Sequence, residues 1–243
     1  MSISANSLKI MKKLILSIAL LLMTITSMAQ IGFGYRFGIG NYKMSEMSSF
    51  LNVIQSGIKL DYPVPISVTD NFPNHYTNYG EVTYSVKNSD YGINVTYLST
   101  GGRLAYSDYS GVIAYNLNAN AYRIGALYRN YFFQTNQGHE NNLSLFAEIS
   151  PAVTFNNITS DGNYETQSGR KEMDKKHIVE SKSTGFSITP YVGVQWNFIK
   201  SLGANLGVGY NAEIPGKSSE MRDSKIDWTG LRVGLGLSYK LIN

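Results

Sequence analysis

The sequence predicts an all-β fold, an antiparallel up-and-down barrel of eight strands, on three observations. Stretches of about ten residues alternate between large apolar residues and small or polar ones, which is the period of a β-strand. The face opposite the apolar residues is rich in glycine, which suits a crowded, curved interior. The connections alternate between long and short, and about ten residues in a tilted strand cross a hydrocarbon layer. The predicted barrel is therefore transmembrane, with its apolar face outside.

The first and last predicted strands carry this pattern most clearly. From Leu231 to Leu241 the odd positions are Leu, Val, Leu, Leu, Tyr and Leu, and the even positions from Gly230 to Lys240 are Gly, Arg, Gly, Gly, Ser and Lys. The stretch from Ile31 to Tyr42 mirrors it, with Arg36 as the one charge among the glycines. Because an up-and-down barrel closes by pairing its first and last strands, these two are expected to be neighbours.

Six further strands are predicted between them, and the ends of the third and fourth are the least defined. The second to seventh strands are predicted at Tyr79–Lys87, from Tyr91, at Ala121–Phe133, Leu143–Phe155, Gly185–Phe198 and Leu202–Tyr210. A weaker pattern from Leu104 to Asn118 predicts that the hairpin of strands three and four extends beyond the membrane. A break in register, as a bulge or a kink, is predicted at Gly101–Gly102. A second bulge is predicted between Leu117 and Tyr122, where the phase of the apolar residues changes.

Two long extracellular loops are predicted, Lys43–Asn78 and Asn156–Thr184. The first contains a short helix at Ser45–Gly57, because apolar residues recur at helical spacing there, with Ser45 as the N-cap and Gly57 as the stop. The helix either only covers the barrel mouth or forms part of a ligand-binding rim. The second loop carries five acidic and five basic residues, which predicts a solvated loop.

The N-terminal stretch reads as a secretory signal. Lys12 and Lys13 precede the apolar run Leu14–Met23, and Ser27-Met28-Ala29 is a small-residue cleavage site, which predicts cleavage after Ala29 and a single barrel domain from residue 30 to residue 243. Whether the chain starts at Met1 or Met11 stays open. Three of the 21 basic residues lie in residues 1–29, so 18 remain against 17 acidic residues, and nucleic-acid binding is not expected. With no cysteine in the sequence, disulfides, thiol catalysis and a lipidated cysteine are excluded.

The candidate functional residues are charges on the predicted inward face: Arg36, Glu81, Arg123, Glu148 and Arg232, with Lys87, Arg129 and Lys240 nearer the periplasmic mouth. Side chains just fill the interior of an eight-stranded barrel, and an isolated buried ion costs several kcal/mol. These charges are therefore expected to form salt bridges that plug the barrel. Arg36 and Arg232 are expected to share Glu148 or Glu81. A gated conductance through the same charges is the alternative.

Catalysis is not predicted. The three histidines, His75, His139 and His177, have no neighbouring residue at a spacing that demands a catalytic or metal-binding role. The glycines of the first and last strands alternate within a strand and precede no helix, so they do not form a nucleotide-binding loop. We expect no cofactor, no metal ion and no enzymatic activity.

The Ile31-Gly32-Phe33-Gly34-Tyr35-Arg36 opening, the Gly-rich alternating strands and the Tyr239-Lys240-Leu241 ending resemble the small outer-membrane β-barrel proteins of the OmpX and OmpA transmembrane-domain type. The resemblance covers nearly all of the chain after residue 29, although Leu241-Ile242-Asn243 lacks the final Phe often seen in such barrels.

This resemblance implies a location in the outer membrane of a Gram-negative cell, reached by export with a cleaved signal. The implied partners are outer-membrane lipid and lipopolysaccharide, with the barrel-assembly machinery acting during insertion, and a monomer is expected. The expected role is structural or surface binding through loops 43–78 and 156–184, which would carry any extracellular ligand. A narrow porin-like channel for small solutes and a lipid A-modifying enzyme stay open as alternatives.

Overall fold

A computed structural model describes residues 30–62, 64–135, 141–166, 169–173, 177–218 and 224–241 of the chain. The predicted signal, residues 1–29, and His139 lie outside the described residues. The cleavage site after Ala29 stays a prediction.

Within these ranges, eight long antiparallel strands form a closed ring, which confirms the predicted fold class. They are β1 (Gln30–Gly40), β3 (His75–Val86), β4 (Ser89–Asp108), β5 (Gly111–Gln134), β6 (Asn142–Thr166), β8 (Glu180–Asn197), β9 (Leu202–Ile214) and β12 (Gly230–Lys240). Four short strands lie outside the ring: β2 (Ser67–Asn71), β7 (Gly169–Glu172), β10 (Lys217–Ser218) and β11 (Ser224–Lys225). β1 pairs with β12 as expected and β4 pairs with β5, so the ring has no free edge.

The apolar face of the ring points outward and the polar face points inward. Leu235 is 63% exposed, and Val208 and Val194 are exposed as well, whereas Arg232 is enclosed. A water-soluble carrier barrel has the opposite arrangement, with its apolar side chains around a central ligand. The described residues include no helix that is both long and apolar enough to span a membrane.

The strands β4, β5 and β6 extend well beyond the apolar outer band. They have 20, 24 and 25 residues, about twice the ten or so that a membrane crossing needs. The first residue of β1, Gln30, and the last residue of β12, Lys240, lie at one end of the barrel, here called the lower end, and the extensions rise from the opposite, upper end. The predicted extension of the β4–β5 hairpin is therefore confirmed.

Both predicted bulges are wrong. The β4–β5 register runs without a shift from Ser89 opposite Asn130 to Asp108 opposite Gly111, and the β5–β6 register is continuous between Leu117 and Tyr122. A register shift does occur in β5, lower down, between Tyr131 and Phe133.

Between Leu117 and Tyr122 the two faces of β5 exchange their polarity, whereas the alternation of inward and outward residues is unchanged. Leu117, Ala119 and Ala121 point inward and are buried, as Arg123 is, so one face of β5 stays inside throughout. Below this level the inner face is polar and the outer face apolar. Above it the inner face is apolar, while the outer face carries Asn116, Asn118 and Asn120. The polarity of the two faces is therefore exchanged at this level without a break in the backbone pairing.

The upper parts of these strands form the wall of a cap with its own hydrophobic core. We define the cap as α1 (Ser45–Asp61), β2, and the segments of β4, β5 and β6 above Leu98, Ala121 and Asn156. Met47, Leu51 and Ile58 of α1 are fully buried against the inner face of the wall. The core residues it shares with the wall and the loops include Leu98, Leu104, Tyr115, Leu117, Ile158, Ile226 and Trp228.

The predicted helix is present, but its ends differ from the prediction. Ser45 is the first helical residue, and Met44 is the N-cap without a side-chain capping bond. The helix continues past Gly57, which faces open space, and ends at Asp61. Tyr62 is extended, the conformation that steric contact with a following proline favours, and Pro63 comes next in the sequence.

The predicted solvated loop Asn156–Thr184 is largely strand, so that prediction is wrong. β6 continues to Thr166, β7 pairs with it, and β8 begins at Glu180. Its charged residues fit this arrangement because the wall of the cap meets water: Asp161 and Glu165 lie on the exposed face of β6, while Ile158 faces the core.

Candidate functional site

Four charged side chains from four different strands meet in the lower lumen and form what we call the ionic square. Arg36 Nη2 lies 2.7 Å from Glu148 Oε2 and 3.3 Å from Glu81 Oε2. Arg129 Nη2 lies 2.6 Å from the same oxygen of each carboxylate. All four side chains are buried, so each arginine is neutralised by both acids, and each acid by both arginines.

Aromatic side chains hold the ionic square in place. The hydroxyl of Tyr79 donates to Glu81 Oε2 at 2.9 Å and lies 3.3 Å from Glu148 Oε1. The guanidinium of Arg36 lies between the rings of Tyr79 and Tyr191, 4.1 and 4.4 Å from their centroids. Stacking of a planar guanidinium on two rings favours arginine over lysine at this position.

A third acid and a lysine complete the lower lumen. Asp90 Oδ2 lies 3.7 Å from Arg129 Nη1, and Asp90 Oδ1 lies 3.4 Å from Lys240 Nζ. Counting the ionic square, three basic side chains then face three acidic ones. The lower lumen is therefore balanced in charge and filled by side chains, which is the condition for a stable plug in a barrel of this width.

The glycines of the inner face provide the space for these long side chains. A Cβ at Gly34 would overlap the carboxylate of Glu81, and one at Gly236 would overlap Cγ of Arg36. In the same way, Gly207 and Gly209 leave room for the ring of Tyr191. The glycine-rich face of the sequence is thus the complement of the ionic and aromatic filling.

The structure brings together only part of the predicted set. Arg36, Glu81 and Glu148 lie in the ionic square, and Arg129, expected nearer the periplasmic mouth, joins them there. Lys240 reaches Asp90 near the mouth. Lys87 is not in the lumen, because it lies exposed in the β3–β4 turn at φ 54°.

Arg123 and Arg232 lie in the upper lumen. Arg123 Nε donates to Ser187 Oγ at 2.9 Å, and its other nitrogens donate to Asn94 and Ser150. Arg232 Nη2 donates to the carbonyl oxygen of Trp228 at 3.1 Å.

The expected sharing of Glu148 or Glu81 by Arg232 is wrong. The β1–β12 register places Arg36 opposite Gly236, four residues from Arg232. At about 3.3 Å per residue, that separates the two arginines by roughly 13 Å along the strand.

The predicted set of candidate residues did not include Asp90, Tyr79 or Tyr191, although the alternation placed Tyr191 on the inward face. Asp90 was assigned to a turn, yet it is inward-facing and two residues before the inward-facing Gly92, so the alternation of β4 contained the signal. The two tyrosines resemble lipid-facing residues in composition, and only their place in the alternation shows that they face inward.

The cap carries a cleft at its tip, which we call the tyrosine cleft, with a volume of about 220 Å³. Its lining includes Tyr62, Tyr106 and Tyr164, together with the acidic residues Asp61, Asp108 and Glu165. Hydrogen bonds from the hydroxyl and backbone N–H of Ser110 lower the pKa of Asp108, so this carboxylate stays charged near neutral pH.

The described histidines both lie at the upper end of the barrel. His177 Nε2 is 2.8 Å from Asp61 Oδ2 beside the tyrosine cleft, and His75 is exposed at the start of β3. In the ranges that the structure covers, no group of three or more His, Cys, Asp or Glu side chains is arranged to hold a metal ion. The absence of a cofactor and of enzymatic activity stays a prediction.

Comparison with known proteins gives structural similarity at low sequence identity. No protein-family model matches the sequence, and no curated protein matches it. Among solved structures, Neisserial surface protein A is 12% identical over 88% of this chain and 100% of its own, with a TM-score of 0.45. Ail, the attachment invasion locus protein of Yersinia pestis, solved with the heparin analogue sucrose octasulfate, is 12% identical over 88% of this chain and 97% of its own, with a TM-score of 0.35.

The N-terminal β-barrel domain of Pseudomonas aeruginosa OprF is likewise 12% identical over 88% of this chain and 100% of that domain, with a TM-score of 0.38. With TM-scores below 0.5, these similarities do not define the function of this chain.

Proposed function

We propose that this protein is an integral outer-membrane barrel that is plugged in its lower half and presents its cap as a binding surface outside the cell. The observation that carries the proposal is the inversion of polarity along β5, which has apolar residues outside below Tyr122 and inside above it. Such a strand suits a protein that stands in lipid and projects into water.

The outer band has the features of a lipid-facing surface. Two rows of tyrosines mark its limits on the β4–β5 pair: the rings of Tyr91 and Tyr128 lie 5.2 Å apart near the lower end, and those of Tyr97 and Tyr122 lie 5.2 Å apart near the upper end. Tyr91 and Tyr97 are six residues apart, which is about 20 Å along a strand. Aromatic girdles at both interfaces are typical of outer-membrane barrels.

Leu235→Arg tests the membrane assignment. Leu235 points outward at the centre of the β12 segment between Leu231 and Tyr239, so an arginine there is expected to destabilise the inserted barrel by about 2–4 kcal/mol. The measurement is a urea titration in lipid vesicles, read from the different gel mobilities of folded and unfolded protein. Leu241→Arg, at the lower rim, is the control and is expected to lower the free energy of unfolding by at most about 1 kcal/mol. Equal stability of Leu235→Arg and wild type would contradict the proposal.

The ionic square supports a plugged lumen rather than a channel. It draws side chains from β1, β3, β5 and β6 into the centre of the barrel, and Phe146 packs beside Arg129, 5.0 Å from its guanidinium to the ring centroid. We therefore propose that the protein acts through its outer surface. No observation in the described residues favours lipid modification over this role.

The tyrosine cleft is the proposed binding site on that surface. Three tyrosine rings offer flat apolar contact, and the exposed carboxylates of Asp108 and Glu165 give the lining negative charge. Cationic groups bind favourably to aromatic faces and to carboxylates. The complementary ligand is a segment of polypeptide rich in lysine or arginine on another cell or on a host surface.

Cells that display the protein are expected to retain a fluorescent lysine-rich peptide, measured by flow cytometry. The double substitution Asp108→Asn with Glu165→Gln is expected to lower retention at least severalfold, because it removes two of the charges of the tyrosine cleft. Asp161→Asn is the matched control. Asp161 is an exposed acid of the cap that bonds Asn116 Nδ2 at 2.9 Å, outside the cleft, and its substitution is expected to leave retention unchanged. Equal retention by the double variant and the control would contradict the proposed site.

A further inference from the structure

The upper lumen holds more positive than negative charge. Arg123 and Arg232 are only 3% and 8% exposed, and no salt bridge joins either of them to a carboxylate in the described part of the chain. Arg123 donates to neutral oxygens of Ser187, Asn94 and Ser150, which satisfy its N–H groups and leave its charge. The lower lumen offers no compensation, because its three basic and three acidic side chains already balance.

One acid, Glu213, lies near this pair but cannot neutralise both arginines. Its carboxylate accepts a hydrogen bond from Asn211 Nδ2 at 3.4 Å and makes no salt bridge with either guanidinium. Even if Glu213 is ionised, two buried positive charges face one negative charge. A buried, uncompensated ion costs several kcal/mol, so this excess requires a partner.

A cavity lies beside the two arginines. Its volume is about 50 Å³, and it lies between the ionic square and the cap. Its lining includes Arg123, Arg232 and the hydroxyl-bearing Thr77, Thr96, Ser150 and Thr189. The acid in its lining, Glu148, is held at the lower end by Arg36 and Arg129. A water molecule needs about 10–15 Å³ of cavity volume measured in this way, so the space has room for a few particles of that size.

One of the lining residues, Arg232, carries an unpartnered donor. Arg232 Nη1 is buried without a hydrogen-bond partner, whereas Arg232 Nη2 donates to Trp228. Buried donors nearly always have a hydrogen-bond partner, and a charged donor is the most costly to leave without one.

We propose that this cavity binds one small monovalent inorganic anion of the chloride type, held by Arg232 Nη1 and by the field of Arg123. The threonine and serine hydroxyls can rotate to donate to the same ion. A single negative charge offsets at least one of the two buried positive charges, and the volume suits an anion of few atoms. The bound anion lowers the excess of positive charge in the upper lumen, so the barrel is plugged at two levels.

The structure offers two variants that alter the site in different ways. Arg232→Met removes the guanidinium that is proposed to bind the anion and keeps a side chain of similar length. Gly234→Ala instead narrows the cavity without changing a charge: a Cβ there would lie 3.3 Å from the hydroxyl of Tyr191 and 3.9 Å from Cβ of Arg36. Arg103→Met is the control, because Arg103 is an exposed arginine of the cap.

The first test is thermal unfolding of the purified full-length barrel in detergent, at constant ionic strength, in sodium chloride, bromide or gluconate. The midpoint of wild type and of Arg103→Met is expected to rise with chloride or bromide concentration until it saturates, and to show no such rise in gluconate, which is too large for the cavity. The saturable rise is expected to be lost in Arg232→Met and reduced in Gly234→Ala. The same midpoint in all three salts, or an unchanged rise in Arg232→Met, would overturn the proposal.

The second test is independent of stability. Crystals grown or soaked in bromide are expected to show an anomalous peak within hydrogen-bonding distance of Arg232 Nη1. A peak at that place supports the proposal even if Arg232→Met does not fold. Ordered water without an anomalous signal at that place would overturn it.

Discussion

Glu148→Ala is expected to lower the free energy of unfolding by about 3–5 kcal/mol, the cost of removing one partner from a buried ion pair. Glu148 accepts from Arg36 at 2.7 Å and from Arg129 at 2.6 Å, so its loss leaves two buried guanidiniums with Glu81 as the remaining acid of the ionic square. The measurement is the urea midpoint and slope of the purified barrel, read from the mobility of unheated samples on gels.

Glu180→Ala is the control for this prediction. Glu180 is exposed at the start of β8, and its substitution is expected to change stability by less than about 0.5 kcal/mol. Wild-type protein in planar bilayers is also expected to give no stable conductance. A loss below about 1 kcal/mol in Glu148→Ala, or steady channels from wild type, would contradict the role of the ionic square as a plug.

Trp228→Ala is expected to lower the free energy of unfolding of the cap by about 3–5 kcal/mol and to leave the barrel folded. Trp228 is completely buried, and its Nε1 donates a hydrogen bond to Asn156 Oδ1 at 2.7 Å. Its ring packs edge-on against the ring of Tyr42, with the two centroids 4.8 Å apart. It lies in a connection outside the hydrogen-bonded ring of strands. The cap is therefore expected to become sensitive to protease while the folded gel mobility of the barrel is kept.

The second tryptophan of the chain supplies the control. Trp196 lies on the outer face of β8, half exposed, with its ring 5.6 Å from that of Phe198. Trp196→Ala is expected to leave the cap as protected as in wild type. Global unfolding of Trp228→Ala would show that the cap and the barrel are one cooperative unit. A cap that stays protected in this variant would contradict the predicted role of Trp228 in stabilising it.

The strands were predictable from the sequence where the environments of their inner and outer faces differ most. Between Leu231 and Tyr239 the outer face meets the proposed lipid and the inner face is packed with glycine, so each residue type marks its side. In the upper part of β6 both faces contain small or polar residues, such as Ser160 and Gly162 inside and Asn157 outside, and the contrast that marks a strand disappears. The inverted polarity of β5 resembled a bulge for a related reason: exchanging the polar and apolar faces and shifting the register by one residue give the same pattern.

The candidate site was predictable as a set of inward charges but not as a set of partners. The alternation alone indicates that Arg36, Glu81 and Glu148 face the lumen. Which of them meet depends on the stagger between strands, and a difference of four residues separates Arg232 from the ionic square. The excess of arginine in the upper lumen has the same origin, because it appears only when the charges are sorted by height.

The unbroken pairing of β4, β5 and β6 has a mechanical consequence. A ligand held at the tip of the cap would pull along strands that continue directly into the bilayer, with no hinge between the point of attachment and the anchor. Interstrand bonds run across the strand direction, so a pull along the strands strains many of them together and none can open first. Such a tether would resist detachment by flowing fluid better than a domain joined to its anchor by a linker.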